Sequence, residues 1–179
     1  MATVIRGDDN FDTADNATQT ELDSGLAGKL DTTADVGKIL QIAMSGAVGT
    51  TAVTSTSLVE PSTGWRVTMS NVKANSILFY NVEANTETDG AAFGKYKFQI
   101  LEPGAGSWTD VQYSHVSGNS ENFVVQNISL YFVNPSTVDG TITMRMLYQV
   151  STGNQTFNDS GPGITGITSK ATLIEYSGD

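Results

Sequence analysis

With 179 residues, 16% of them charged and a formal net charge of −10, the chain is long enough for one well-cored domain and has no Lys/Arg cluster to meet phosphates. That balance argues against nucleic acid and anionic membrane as partners. Zero cysteines exclude disulfide scaffolds, thiolate zinc sites and cysteine nucleophiles, so stability has to come from packing or oligomerisation. No apolar signal-peptide core and no run of eighteen apolar residues occurs, and the expectation is a protein made in a cytoplasm that spans no membrane.

Residues 1–36 hold eight acidic and two basic side chains up to residue 35 and few apolar ones, with Val4, Ile5 and Phe11 the only sizeable anchors before Leu22. A segment of this kind cannot offset its ordering entropy alone, so a neighbouring subunit, a partner protein or the folded domain has to order it. It is expected to be an attachment leader, with residues 37–179 as the folded domain. Thr18-Gln19-Thr20-Glu21 fits a capping box and Leu22, Leu26 and Leu30 follow at a spacing of four, which predicts a short helix near 19–30. Gly25 and Gly28 weaken it by roughly 1 kcal/mol each relative to Ala. Asp8, Asn10 and Asp12 match the first ligand positions of a calcium loop, but Thr13 and Gln19 stand where it needs Gly and Glu, so no metal is expected. Arg6-Gly7-Asp8 is the tripeptide of integrin ligands, a string short enough to recur by chance.

From Gly37 onward, short runs alternate apolar and polar residues between Gly, Asn, Ser and Thr clusters. Tyr96, Phe98 and Ile100 alternate with Lys95, Lys97 and Gln99, and Ile142, Met144, Met146, Tyr148 and Val150 do the same, the period of half-buried antiparallel strands. Nine strands are predicted, near 38–44, 54–60, 65–70, 77–84, 95–101, 108–113, 123–133, 141–150 and 171–176, giving an all-β antiparallel sandwich or barrel. Asp139-Gly140 predicts a tight hairpin joining 123–133 to 141–150. In 123–133 both faces are apolar. Phe123, Val125, Tyr131 and Val133 oppose the core-type face of Val124, Ile128, Leu130 and Phe132, and are assigned to a subunit interface.

Little of this carries catalytic chemistry. His115 is the only histidine, and no Gly-x-Ser-x-Gly elbow accompanies it. Gly90 to Lys95 is one residue short of a phosphate loop. The carboxylates of the β region fall at strand ends and turns, and no spacing selects a pair for glycoside hydrolysis. The expectation is a protein with no catalytic residues and no cofactor. Trp108, Tyr113 and the turn at Gly118-Asn119-Ser120 form an aromatic and polar connection suited to receptor contact through sugar stacking, whereas Trp65 reads as structural.

GKILQI at 37–42, TSTSLVEPSTGWRVTM at 54–69, NSILFYNVEA at 75–84, VQNISLYFV at 125–133, TITMRMLYQV at 141–150 and ITSKATLIEY at 167–176 follow one another in an order that resembles the jelly-roll module of bacteriophage tail fibres, spikes and head fibres. The leader ATVIRGDDNFDTA at 2–14 is similar to the opening of virion fibre proteins from phages of aquatic bacteria. The resemblance implies a homotrimer of jelly rolls on a virion, with the leader as the segment that attaches it to other virion proteins; the expected activity is adhesion to a host-surface glycan or protein. A head fibre, capsid decoration or tail adaptor protein that binds only other virion proteins is the alternative. A surface-polysaccharide depolymerase with a carboxylate-lined groove is a third reading.

Overall fold

The computed structural model describes residues 37–89, 93–117, 124–158 and 168–178, with backbone alone at 88–89, 93, 112–117 and 124–126. The leader, its helix and anchors Val4, Ile5 and Phe11, and Phe123 lie outside the described residues. Among the described residues ten strands run in chain order: β1 Ile39–Met44, β2 Thr51–Val53, β3 Val67–Val72, β4 Ile77–Asp89, β5 Phe93–Leu101, β6 Thr109–Ser117, β7 Val124–Val133, β8 Gly140–Val150, β9 Asn154–Phe157 and β10 Lys170–Tyr176. All pairings among them are antiparallel.

The first sheet is built on β4, whose thirteen residues are long enough to serve two partners in line on one edge. Ile77–Glu83 pair with β10 and Thr86–Asp89 with β9, while β7 covers the opposite edge. β1 then pairs with β10 and β2 with β9. The second sheet has the order β3-β8-β5-β6. The two layers form an antiparallel β-sandwich of jelly-roll type, and the alternation seen in the sequence sends one side of each strand into the space between them.

That space is filled by aromatic residues set edge to face. Trp65 meets Phe157 at 5.2 Å, Tyr148 meets Phe157 at 5.0 Å and Tyr80 meets Phe98 at 5.6 Å. Their polar atoms are satisfied: the Trp65 indole donates to Ser169 Oγ at 2.8 Å and the Tyr80 hydroxyl donates to the Trp65 carbonyl at 2.7 Å. Burial raises the Tyr80 hydroxyl far above its ordinary pKa and pushes that of Tyr148 up to about 12. Gly94 lies against the Tyr148 ring, where a Cβ would overlap the hydroxyl.

The hairpin predicted at Asp139-Gly140 does not form. β7 pairs with β4 and β8 with β3 and β5, so residues 134–139 cross from one sheet to the other. The crossing is bound to the β3–β4 connection instead. Asn134 donates from its backbone to the Ser76 carbonyl and from Nδ2 to the Lys73 carbonyl, both at 2.8 Å. Its Oδ1 accepts from the Ser136 N–H at 3.1 Å in a local side-chain turn. Asp139 accepts from Lys73 Nζ at 2.7 Å and the Ala74 N–H at 2.9 Å, and these bonds hold its carboxyl below the ordinary range.

Two other expectations shift. The stretch 54–60 is a loop rather than a strand: the Ser55 hydroxyl accepts from the Ser57 N–H, a local bond that competes with ladder pairing, and Val59 alone bridges to Tyr148. Conversely β9, only Asn-Gln-Thr-Phe, is a strand that its polar composition hides. At Pro103-Gly104 the chain reverses, with Gly104 at φ 70 and the Ala105 N–H bonded to the Glu102 carbonyl, as a type II turn requires.

Candidate functional site

The outer face of the second sheet carries the side chains that strand alternation turns away from the core. Across β8, β5 and β6 the pairings Arg145 to Gln99 and Gln99 to Asp110 set three polar residues in one row. Arg145 donates from Nε and Nη2 to Gln99 Oε1 at 2.9 and 2.6 Å. Gln99 Nε2 donates to Asp110 Oδ1 at 2.7 Å, and Asp110 Oδ2 accepts from Lys97 Nζ at 2.7 Å. From the loop before β3, Glu60 takes a two-point bond from Arg66, at 2.7 Å from Nε and 2.6 Å from Nη2, and lies 3.4 Å from Arg145 Nη1. Hydrogen bonding to Glu60 raises the Arg66 guanidinium above its already high ordinary pKa, so it stays charged.

Trp108 sits on this network. It lies just before β6, half-buried, with the Arg145 guanidinium carbon 4.0 Å and that of Arg66 5.5 Å from its ring centroid. Stacking on a guanidinium that is itself held by Gln99 and Glu60 fixes the indole at the surface. The result is an oriented aromatic ring beside carboxylate, amide and guanidinium groups, a surface able to stack a ring and bond hydroxyls at the same place. Trp65, the other tryptophan, is 1% exposed in the core.

Tyr113 lies on the same sheet, paired with Lys97 in β6, and His115 is paired with Lys95; their side chains lie outside the described residues. Arg145, Arg66, Glu60 and Gln99 escape the sequence reading because their meeting depends on strand order: Gln99 and Arg145 are 46 residues apart and Glu60 and Arg145 are 85. The available signal was parity, since Gln99 and Arg145 are both polar members of alternating strands. No cluster of three or more metal-ligating side chains occurs among the described residues.

The outer face of the first sheet is of another kind. Register places Ile39, Tyr176, Ile77 and Val133 in one row across β1, β10, β4 and β7, and Ile42, Ile174, Phe79 and Tyr131 in the next. Ile42 is 57%, Met44 60%, Tyr131 58% and Val133 61% exposed. Tyr131 lies 6.3 Å from Phe79 and 5.8 Å from Tyr176, ring centroid to ring centroid. Of the residues predicted at a subunit interface, Tyr131 and Val133 fall here, and Val125 is paired with Asn85 further along β7 with its side chain outside the described residues. Beyond the apolar rows the face turns polar, with a depression of about 380 Å³ beside Asn81, Glu83 and Lys170.

No known family model matches the chain, and no curated protein matches it. Among solved structures it is similar to the Eiger TNF of S. frugiperda, at 9% identity and a TM-score of 0.42 over 77% of this chain and 93% of that one. It is similar to the VP2 subviral particle of infectious bursal disease virus at 9% identity and a TM-score of 0.42, over 79% of this chain and 38% of the other. A structure described as CBM4 shares 11% identity at a TM-score of 0.36, over 74% of this chain and 79% of that one.

Proposed function

We propose that the chain is a bacteriophage virion structural protein, the trimeric knob of a fibre or spike, fixed to the particle by its N-terminal 36 residues and adhering to the host cell surface through its β-sandwich. The observation that carries this reading is the ordered resemblance of the segments between 37 and 176 to phage fibre jelly rolls. Those segments supply β1, β3, β4, β7, β8 and β10, which are four of the first sheet's six strands and two of the second sheet's four. Adhesion is assigned to Trp108 and the Arg145, Gln99 and Asp110 row, whose ring and polar groups suit a glycan or a polar protein loop. Three copies on one axis turn shallow contacts of this kind into firm attachment by raising the effective concentration of the second and third sites.

The test combines particle composition with adsorption. Peptides of this chain are expected in purified particles, and excess full-length protein is expected to block adsorption of those particles to their host, with Trp108→Ala a weaker competitor. Absence of the peptides from particles overturns the virion reading. Their presence without any block of adsorption replaces the adhesive knob by a head fibre, decoration or adaptor protein.

A further inference from the structure

We infer that copies of this chain pack against one another through the outer face of the first sheet, with Tyr131, Phe79 and Tyr176 at the centre of the contact. The inference rests on the trimeric reading above and names the surface that would build it. Water is a poor neighbour for this face. Two adjoining rows, each four residues wide and spanning the sheet from β1 to β7, contain no charged side chain.

The area fits a protein-sized occupant. With Ile39 51% exposed as well, Ile39, Ile42, Met44, Tyr131 and Val133 together leave on the order of 600 Å² of largely apolar surface in water, at the top of the range for a monomer's largest patch and near the roughly 800 Å² that one partner gives to a standard interface. Aromatic and Met side chains are also the types that interface centres favour.

Charge selects the kind of partner. The polar border of the face places Lys170 directly opposite Glu83, one charge of each sign, so a second copy can set its acid against this base and its base against this acid. A chain of net charge −10 is repelled by anionic lipid, which makes a membrane the poorer occupant. The depression on this side of the molecule lies at the polar border and not among the apolar rows, so the rows present a broad surface suited to another broad surface.

The experiment is light scattering on the full-length chain and three variants, each checked for an unchanged far-ultraviolet spectrum and a cooperative unfolding transition. Tyr131→Glu and Ile42→Glu place a charge in the apolar rows at exposed positions that the fold tolerates. Lys95→Glu places one on the exposed surface of the second sheet. The expected result is three times the protomer mass for the wild type and Lys95→Glu, falling to one third of that in the other two. Trimers in every variant overturn this face as the contact while leaving the trimeric knob standing. A wild-type monomer overturns both, and if it also floats with zwitterionic lipid vesicles the occupant is a membrane.

Discussion

On the outer face of the second sheet, Arg145 finds Gln99 and Glu60, Asp110 finds Gln99 and Lys97, and Trp108 lies on a guanidinium already tied in place. On the outer face of the first sheet the side chains at the corresponding outward positions are Ile42, Ile174, Phe79 and Tyr131, which can be satisfied only by removal from water. Both faces are made by the same period-two alternation. What separates them is that polar side chains can complete their bonding within one chain, whereas the wide apolar surface on the outside of the sandwich has no third layer over it among the described residues.

This contrast breaks at once if Trp108 supports the fold as Trp65 does. Trp65→Ala empties a buried site and removes the bond to Ser169, and is expected to cost about 3–5 kcal/mol in urea unfolding. Trp108→Ala is expected to cost less than about 1 kcal/mol. Equal losses would mean that the second sheet's outer face is part of the structural core.

The interior that both faces enclose is probed by alkali. Tyr80 and Tyr148 ionise in the unfolded chain near their ordinary pKa but resist ionisation when folded, so the unfolded state binds fewer protons above pH 10. Stability is therefore full below pH 10 and falls as pH rises through about 12, with both phenols still protonated at pH 11 in the folded protein. Absorbance at 295 nm followed beside circular dichroism checks this. Phenolate formation by all tyrosines before any unfolding would show that the sandwich admits solvent.

A smaller effect sharpens the contrast from the polar side. Arg145→Met keeps volume but removes the bonds to Gln99 and Glu60, and is expected to cost about 1 kcal/mol. Fluorescence from Trp108, read in a Trp65→Phe background, shifts to the red as the ring loses its support. An unchanged spectrum would mean that the guanidinium does not position the indole.

Alternation made most strands legible. β5, β8 and β10 fall within a few residues of expectation because one of their faces meets the core at every second position. The Asp139-Gly140 hairpin was misread because a turn dipeptide reports a local bend and not whether the chain changes sheet; the decisive bonds run from Asp139 and Asn134 back to residues 73–76. Of the site, Trp108 could be picked out as an aromatic beside a polar turn, while Arg145 could not be joined to it without the order of β8, β5 and β6. Tyr131 and Val133 announced an outward apolar surface on one strand. Its extension over Ile42, Ile174 and Phe79 came from register, which a single strand's pattern does not contain.

The bonds around Lys73, Ala74, Ser76, Asn134 and Asp139 lock together, at one end of the sandwich, two of the places where the chain changes sheet. At the opposite end lie Asp89, Phe93, Ser117, Val124, Val150 and Asn154, where three connections leave and re-enter the strands. One end works as a clasp, whereas the other only gathers strand ends. Foreign peptide spliced at Gly153, a glycine at φ 74 in the connection between β8 and β9, would lie far from the clasp that fixes strand order, so an insertion is expected to be tolerated there and not among residues 134–139.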